Sequence, residues 1–169
     1  MEMGVLVPDG ITVDMVLERL DFSDCKCGVI LDGFPRTLDQ AIAIDAALAS
    51  KGKKVDIVLY LKVSEQELIR RLSGRWICMN CHTPYNSVSS QPSVGGICNE
   101  CGGKLYQRSD DTEETAKTRL RIYMDLTAPL IKRYKRSNKL IEINGEQDVE
   151  GVSNDIFSAL KSRVASMVG

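Results

Sequence analysis

The residues best suited to chemistry are four cysteines in two C-x-x-C pairs, Cys78/Cys81 and Cys98/Cys101, with sixteen residues between the pairs. That spacing lies within the range of a four-thiolate zinc site. Tetrahedral zinc takes two sulfurs from each of two tight turns, and each pair offers one such turn. The segment between them, TPYNSVSSQPSVGG, is too polar and too rich in Pro, Gly and Ser to build its own core. A metal would supply the folding energy that burial cannot. All four ligands would be protein thiolates, leaving no open coordination position, so the ion is expected to hold shape and not to react.

Arginines group around this module. Arg71 and Arg75 stand at its entry, Arg108 and Arg119 at and after its exit, and Asp110-Asp111 closes it. A hinged module with arginines at both hinges suits a lid that closes over an anionic substrate. Phosphoryl transfer asks a protein for positioning, charge neutralisation and exclusion of water, and such a lid serves all three. The two aspartates would either lock the lid through ion pairs or, in the case of Asp111, cap the next helix. The spacing to Glu114 favours the cap.

Two further residues carry functional readings beside plainer ones. Asp32 ends the apolar run GVILD, so it would lie at the carboxyl edge of a sheet, where open α/β folds bind ligands and a carboxylate can hold hydrated Mg²⁺. The plainer reading is an aspartate in a turn. Arg36 sits on the Pro-containing loop GFPR, where a guanidinium suits bidentate capture of phosphate. Its alternative is a surface arginine.

The elements that must position these groups follow from pattern. A short helix is expected over 12–20, with Met15, Val16 and Leu20 on one face, and a buried strand over 28–32. Thr37 and Gln40 form a capping box that opens a helix ending at Gly52. Residues 55–63, VDIVLYLKV, make the clearest strand, and Ser64 with Glu67 a second capping box. After the cysteine module come a helix broken near Pro129, a strand over KLIEI ending at Asn144-Gly145, and an amphipathic helix over most of 148–167. The alternation of strands and helices predicts an α/β fold with a parallel sheet flanked by helices and an inserted cysteine module. Three strands are few for such a sheet, which would leave an apolar edge bare.

Composition narrows the functional classes. The 22 basic and 23 acidic residues give a net charge of −1, against a dedicated nucleic-acid or membrane-surface binder. No apolar run reaches the roughly 20 residues that span a bilayer, and MEMGVLVPDG lacks the basic and apolar regions of a secretory signal. The cytoplasm is the expected compartment. Cys78 to His82 also satisfies the haem-attachment pattern C-x-x-C-H, but the second cysteine pair and the missing export signal argue against haem. His82 is expected on the surface of its turn, and Cys25 and Cys27 as ordinary free thiols.

Several stretches together resemble the adenylate kinases in their long form with a zinc-bearing lid: LVPDG, LDGFPRTLDQA, SGRWICMNC, CNECGGKLYQRSDD, the following TRL, and INGEQD, all in order. The resemblance covers essentially the whole chain, and its combination of LDGFPR, YQRSDD and four cysteines is specific. It implies a P-loop-kinase-type sheet, and reversible phosphoryl transfer between MgATP and AMP by a monomer. It divides the chain into an AMP-binding remnant over 1–24, a core over 25–75 and 109–169, and a zinc lid over 76–108.

Residue by residue, the resemblance puts the backbone of Val5, Leu6 and Val7 against the AMP base and Gln40 on the adenine. Gly33, Phe34, Pro35 and Arg36 match the loop whose arginine holds the AMP phosphate. Arg108 and Arg119 match the pair that grips the transferring phosphates. Arg71 and Arg75 fall on the ATP side, with Pro84-Tyr85 as a lid contact and Gln147 as a backbone contact to the ATP base. Asp32 matches the carboxylate that organises Mg²⁺ through water, and Asp110-Asp111 the lid aspartates. Trp76 departs from the family, standing where many members carry a second basic residue.

A larger departure concerns the family's glycine-rich loop, G-x-x-G-x-G-K-[GS]-T, whose amides and lysine cradle ATP phosphates; no stretch of these 169 residues matches it. The first strand of the family's sheet and a T-G-D stretch are unmatched too. The expectation is that the 169-residue polypeptide alone lacks transfer activity and folds poorly. Two alternatives stand beside the enzyme reading: a non-catalytic chain that keeps zinc and weak nucleotide affinity, and a zinc-ribbon module that binds nucleic acid or protein.

Overall fold

The computed structural model describes residues 6–87 and 90–168, with side chains through Ala165. In chain order it contains α1 (Asp9–Leu20), a 3-10 turn (Ser23–Cys25), α2 (Leu38–Ser50), β1 (Val58–Lys62), α3 (Glu65–Ser73) and β2 (Arg75–Cys78). Next come β3 (Pro84–Asn86), β4 (Leu105–Tyr106), α4 (Glu113–Ile122), a π-helical stretch (Tyr123–Thr127), α5 (Ala128–Arg136), β5 (Leu140–Asn144) and α6 (Val149–Val168). The chain divides into two compact units. One holds Ser64–Arg121, and the other combines Leu6–Val63 with the chain from Ile122 onward.

The second of these units is a parallel α/β layer. The β-branched and apolar residues of VLYLK and LIEIN form β1 and β5, which pair in parallel with Val58 opposite Leu140 and Lys62 opposite Asn144. Parallel neighbours need a long crossover, and here the chain between them passes through the whole of the other unit. Ala41 of α2 and Leu130 and Tyr134 of α5 are buried together, with Val55, Val58 and Leu140 packed around them. The Thr37 hydroxyl accepts the Gln40 N–H at 3.2 Å, so the expected N-cap of α2 is present. α1 starts at Asp9, and its half-buried positions Val13, Val16, Leu17 and Leu20 follow helical spacing. Met15, placed on that face by the sequence reading, is 65% exposed.

The expected strand over 28–32 is not formed. Ile30 is 95% exposed, and these residues pair with no strand among the described residues. Apolar content marks a segment that can fill a buried strand; the ladder also needs hydrogen-bonding neighbours. Asp32 therefore follows an unpaired segment and is exposed in a bend.

The unit from Ser64 to Arg121 contains a sheet that its polar sequence concealed. β2 lies between β3 and β4, antiparallel to both, with Trp76 opposite Tyr85 and Ile77 opposite Tyr106. Its small core is Cys78, Tyr85 and Cys98, with Leu105 packed against them. Ser64 takes the N-cap position of α3 without a side-chain cap bond, so the second capping box does not form.

Candidate functional site

The four cysteines converge. Their sulfurs all lie within 4.8 Å of one another, with Cys78 and Cys98 buried and Cys81 and Cys101 exposed. The two turns that carry them share one geometry. The Cys78 carbonyl accepts from the His82 N–H at 3.1 Å, and the Cys98 carbonyl accepts from the Gly102 N–H at 3.0 Å. The Cys78 N–H donates to Thr83 O and the Cys98 N–H to Gly103 O. His82 and Gly102, each following the second cysteine of its pair, have φ of 59° and 70°. Glycine adopts that backbone freely, whereas a histidine does so only when held.

The cluster fits a structural zinc ion. Four sulfurs at about 2.3 Å from one ion sit roughly 3.8 Å apart. Here Cys78–Cys101 and Cys81–Cys101 are 3.4 Å apart and Cys81–Cys98 3.5 Å. Without a cation these thiols are in conflict. A hydrogen bond with Thr83 brings Cys81 down to about 6. The Gly103 amide favours the Cys101 thiolate, but hydrogen bonding with Cys81 and Cys78 outweighs it and pushes this thiol up to about 12. A bound dication would let all four ionise together. Tyr85 supports the set: its hydroxyl accepts the Asn99 N–H at 2.8 Å, which leaves its own proton for the Cys98 sulfur at 3.3 Å.

At the foot of this module three guanidiniums meet one buried carboxylate. Arg75 Nε donates to Asp111 Oδ2 at 3.0 Å, and Arg75 Nη2 donates to Asp111 Oδ1. Arg108 donates to the same two oxygens at 3.0 and 3.2 Å and pairs with Asp110 at 3.1 Å. Arg119 stands further off, 3.5 Å from Asp111 and 3.7 Å from Asp110. The Asp111 side chain is wholly buried, while the three arginines are each about one-third exposed. Burial alone would push the Asp111 carboxyl up; hydrogen bonds from Arg75 and Arg108 outweigh it and hold it below its usual range. Three cations against two carboxylates leave a net positive charge with guanidinium nitrogens at the surface, a site suited to phosphate oxygens.

Asp111 is thus an ion-pair centre, and its expected role as a helix cap is corrected. Thr112 takes the cap instead, its hydroxyl accepting the Thr115 N–H at 3.2 Å. A carboxylate facing three guanidiniums gains more from charge-assisted bonds than from one backbone amide. Gln107 ties the two ends of the module together by donating to Ser73 O at 2.6 Å and to Asp111 O at 3.0 Å.

The GFPR loop lies in the other unit. Gly33 has φ +69, a left-handed backbone that glycine adopts without strain, and it lies directly beside the Arg36 guanidinium. Arg36 Nε donates to Gly33 O at 2.8 Å, while the side chain stays exposed. Gln40 is 2% exposed. Its Oε1 accepts the Arg36 N–H at 2.7 Å, and its Nε2 donates to Asp9 Oδ1 at 2.8 Å. The other Asp9 oxygen accepts from the Thr37 hydroxyl at 2.7 Å.

The remaining expected residues fall in both units. Leu6 and Val7 are half-buried ahead of α1, and Val5 lies outside the described residues. Phe34 and Pro35 are half-buried beside Arg36. Arg71 pairs with Glu67 at 2.6 Å. Pro84 is exposed, whereas Tyr85 points its hydroxyl into the cysteine cluster. The Gln147 side chain donates to Asn144 O and Asp155 Oδ2, which leaves its backbone for other contacts. His82 is exposed on its turn, and Cys25 and Cys27 are free thiols. Asp9, Gln107 and the hydroxyl role of Tyr85 were invisible in sequence. Each acts across 14 to 34 residues, with no local motif to mark it.

Among the described residues no helix is long and apolar enough to cross a membrane. A family model described as adenylate kinase matches residues 1–139. The chain is 47% identical to the adenylate kinase of Thermosipho africanus over 161 residues, covering 95% of this chain and 75% of the relative. It is 49% identical to the adenylate kinase of Dehalococcoides mccartyi, covering 95% and 74%, and 45% identical to that of Methanocella arvoryzae, covering 95% and 74%. A parallel sheet flanked by helices, a four-cysteine module and this degree of identity agree: the chain belongs to the adenylate kinase family, whose members are nucleoside monophosphate kinases.

Proposed function

We propose that this chain serves reversible phosphoryl transfer between MgATP and AMP, giving two ADP. The bond between the γ-phosphorus of ATP and its bridging oxygen breaks, and one forms to an AMP phosphate oxygen. In this reading Arg36 and the GFPR loop hold the AMP phosphate, Gln40 reads the adenine, and the backbone of Leu6 and Val7 lies against the base. Arg108 and Arg119 neutralise the transferring phosphates, and Arg71 and Arg75 the ATP side, with backbone contacts from Pro84-Tyr85 and Gln147. Asp32, exposed beside Gly33, is the carboxylate assigned to the water shell of the Mg²⁺ that accompanies ATP. Residues 76–108 act as the lid, its shape fixed by zinc on the four cysteines.

The observation that carries this reading is the gathering of Arg75, Arg108 and Arg119 around buried Asp111 at the foot of the cysteine module. Preorganised guanidiniums of this kind stabilise a transferring phosphoryl group without reorganising at the moment of reaction. A monomer in the cytoplasm is the proposed setting, since free thiols at zinc spacing persist in a reducing compartment.

A second reading is confined to these 169 residues taken by themselves, which hold no G-x-x-G-x-G-K stretch: nucleotide and zinc binding without turnover. Calorimetric titration with AMP, beside a coupled kinase assay, separates the outcomes. Saturable AMP binding that Arg36→Ala removes while leaving the melting temperature unchanged is expected. AMP binding indifferent to Arg36→Ala would overturn the AMP-site assignment. Turnover matching a full-length relative would overturn the second reading.

A further inference from the structure

Gln40 is held by two partners of opposite character. A carboxylate can only accept and a backbone N–H can only donate, so the contacts from Nε2 to Asp9 and from Arg36 N–H to Oε1 admit a single orientation of the amide. Glutamine amides are otherwise nearly symmetric in shape, and a rotated amide would turn both contacts repulsive. Each end keeps spare capacity. Nε2 retains one N–H and Oε1 one lone pair, so the fixed amide, in a residue 2% exposed, keeps a donor and an acceptor in a set order.

That order matters to a purine. The 6-amino edge of adenine places a donating amine beside an accepting ring nitrogen, and the 6-oxo edge of hypoxanthine reverses the two. An amide free to rotate satisfies either edge; a locked one favours a single arrangement. We propose that Asp9 is a specificity-determining residue of the nucleoside monophosphate site: together with the Arg36 N–H, its carboxylate holds the Gln40 amide in the orientation that selects 6-amino over 6-oxo purines. Asp9 acts through Gln40 and is a positioning residue. The inference rests on the reading that Gln40 meets the base.

Thr37 separates this role from a structural one. Asp9 also accepts from the Thr37 hydroxyl, so it ties the start of α1 to the N-cap of α2. Thr37→Val removes that tie and the cap while leaving both contacts of the Gln40 amide in place.

The test measures equilibrium binding of AMP and of inosine monophosphate to the 169-residue chain and to four variants, with thermal melts to verify folding. The wild-type chain is expected to prefer AMP, and Gln40→Ala to lose the preference. Asp9→Asn keeps the shape of the side chain but offers the amide either a donor or an acceptor. It is expected to reduce the AMP preference roughly tenfold, chiefly by improving inosine monophosphate binding. Asp9→Glu, which keeps the carboxylate, is expected to restore part of it, and Thr37→Val to melt earlier with the preference unchanged. If Gln40→Ala abolishes the preference while Asp9→Asn retains it, the proposal falls and the base-reading role of Gln40 stands. A preference unaffected by Gln40→Ala, or no AMP binding by the wild-type chain, overturns that reading and the proposal with it. Equal loss of preference in Thr37→Val and Asp9→Asn assigns Asp9 a structural role and also overturns the proposal.

Discussion

In the unit from Ser64 to Arg121 the wholly buried side chains include a cysteine and an aspartate, Cys78 and Asp111; in the unit built on β1 and β5 they are Ala41 and Ile44. The interior of the first unit sets sulfurs and a carboxylate gripped by arginines beside a few apolar side chains, Tyr85, Ala116 and Leu120. The second is an ordinary apolar layer in which helices α2 and α5 cover a parallel pair of strands. A polar interior is stable only when every member has its partner, so removing one member leaves the others stranded. An apolar interior loses stability in proportion to what is taken away. The two units should therefore respond to different insults.

The largest effect is expected from the metal site. Cys98→Ser removes a buried ligand and should cost the Ser64–Arg121 unit its cooperative melt and the chain its zinc, while the β1–β5 unit keeps its own transition. Calorimetry with metal analysis reads both. Next comes Asp111→Asn, which leaves Arg75 and Arg108 facing a neutral amide. Breaking one side of such a buried pair costs about 3–5 kcal/mol, and the loss should appear in the same unit with zinc retained. Leu130→Ala should cost about 2–5 kcal/mol and lower only the β1–β5 transition, since Leu130 is 5% exposed within that core.

The smallest effect is on acid stability. Hydrogen bonds from Arg70 and Arg71 hold Glu67 at about 2, below its ordinary 4.5. A carboxyl lowered on folding stabilises above its unfolded value, and that contribution fades as pH falls through its folded value. Melting temperatures of the wild-type chain and Glu67→Gln should thus differ above pH 4.5 and converge towards pH 2. The buried Asp111 carboxyl, also held low, adds an acid-labile contribution of the same sign in the same unit.

What could be read beforehand divides along the same line. The spacing of Cys78, Cys81, Cys98 and Cys101 announced their convergence, because sulfur pairs on tight turns are a local pattern with one chemical outcome. The strands at β1 and β5 and the Thr37 cap were legible for the same reason: β-branched runs and capping residues act within a few positions. The segment 28–32 misled because an apolar run states what it can bury, while its partners come from elsewhere in the chain. Asp111 misled in the opposite direction. Its spacing to Glu114 fits a local cap, yet Arg75, 36 residues away, claims it. The clamp of Asp9 on Thr37 and Gln40 spans 28 and 31 residues and likewise had no sequence signature. The roles expected of Val5 to Val7, Gln40 and Gln147 came from resemblance alone, whereas the partners that Asp9, Gln107 and Tyr85 find emerged only from the fold.

Hydrogen exchange followed by mass spectrometry, on the zinc-loaded chain and after chelation, tests most directly whether a metal holds one unit and apolar burial the other. Chelation is expected to expose the Cys78, Cys98 and Leu105 amides, which donate to Thr83, Gly103 and Gly96, while amides donating across the β1–β5 pair, such as Val58 to Lys139, keep their protection. Unchanged protection of the cysteine turns after zinc removal, or equal loss in both units, would contradict that division.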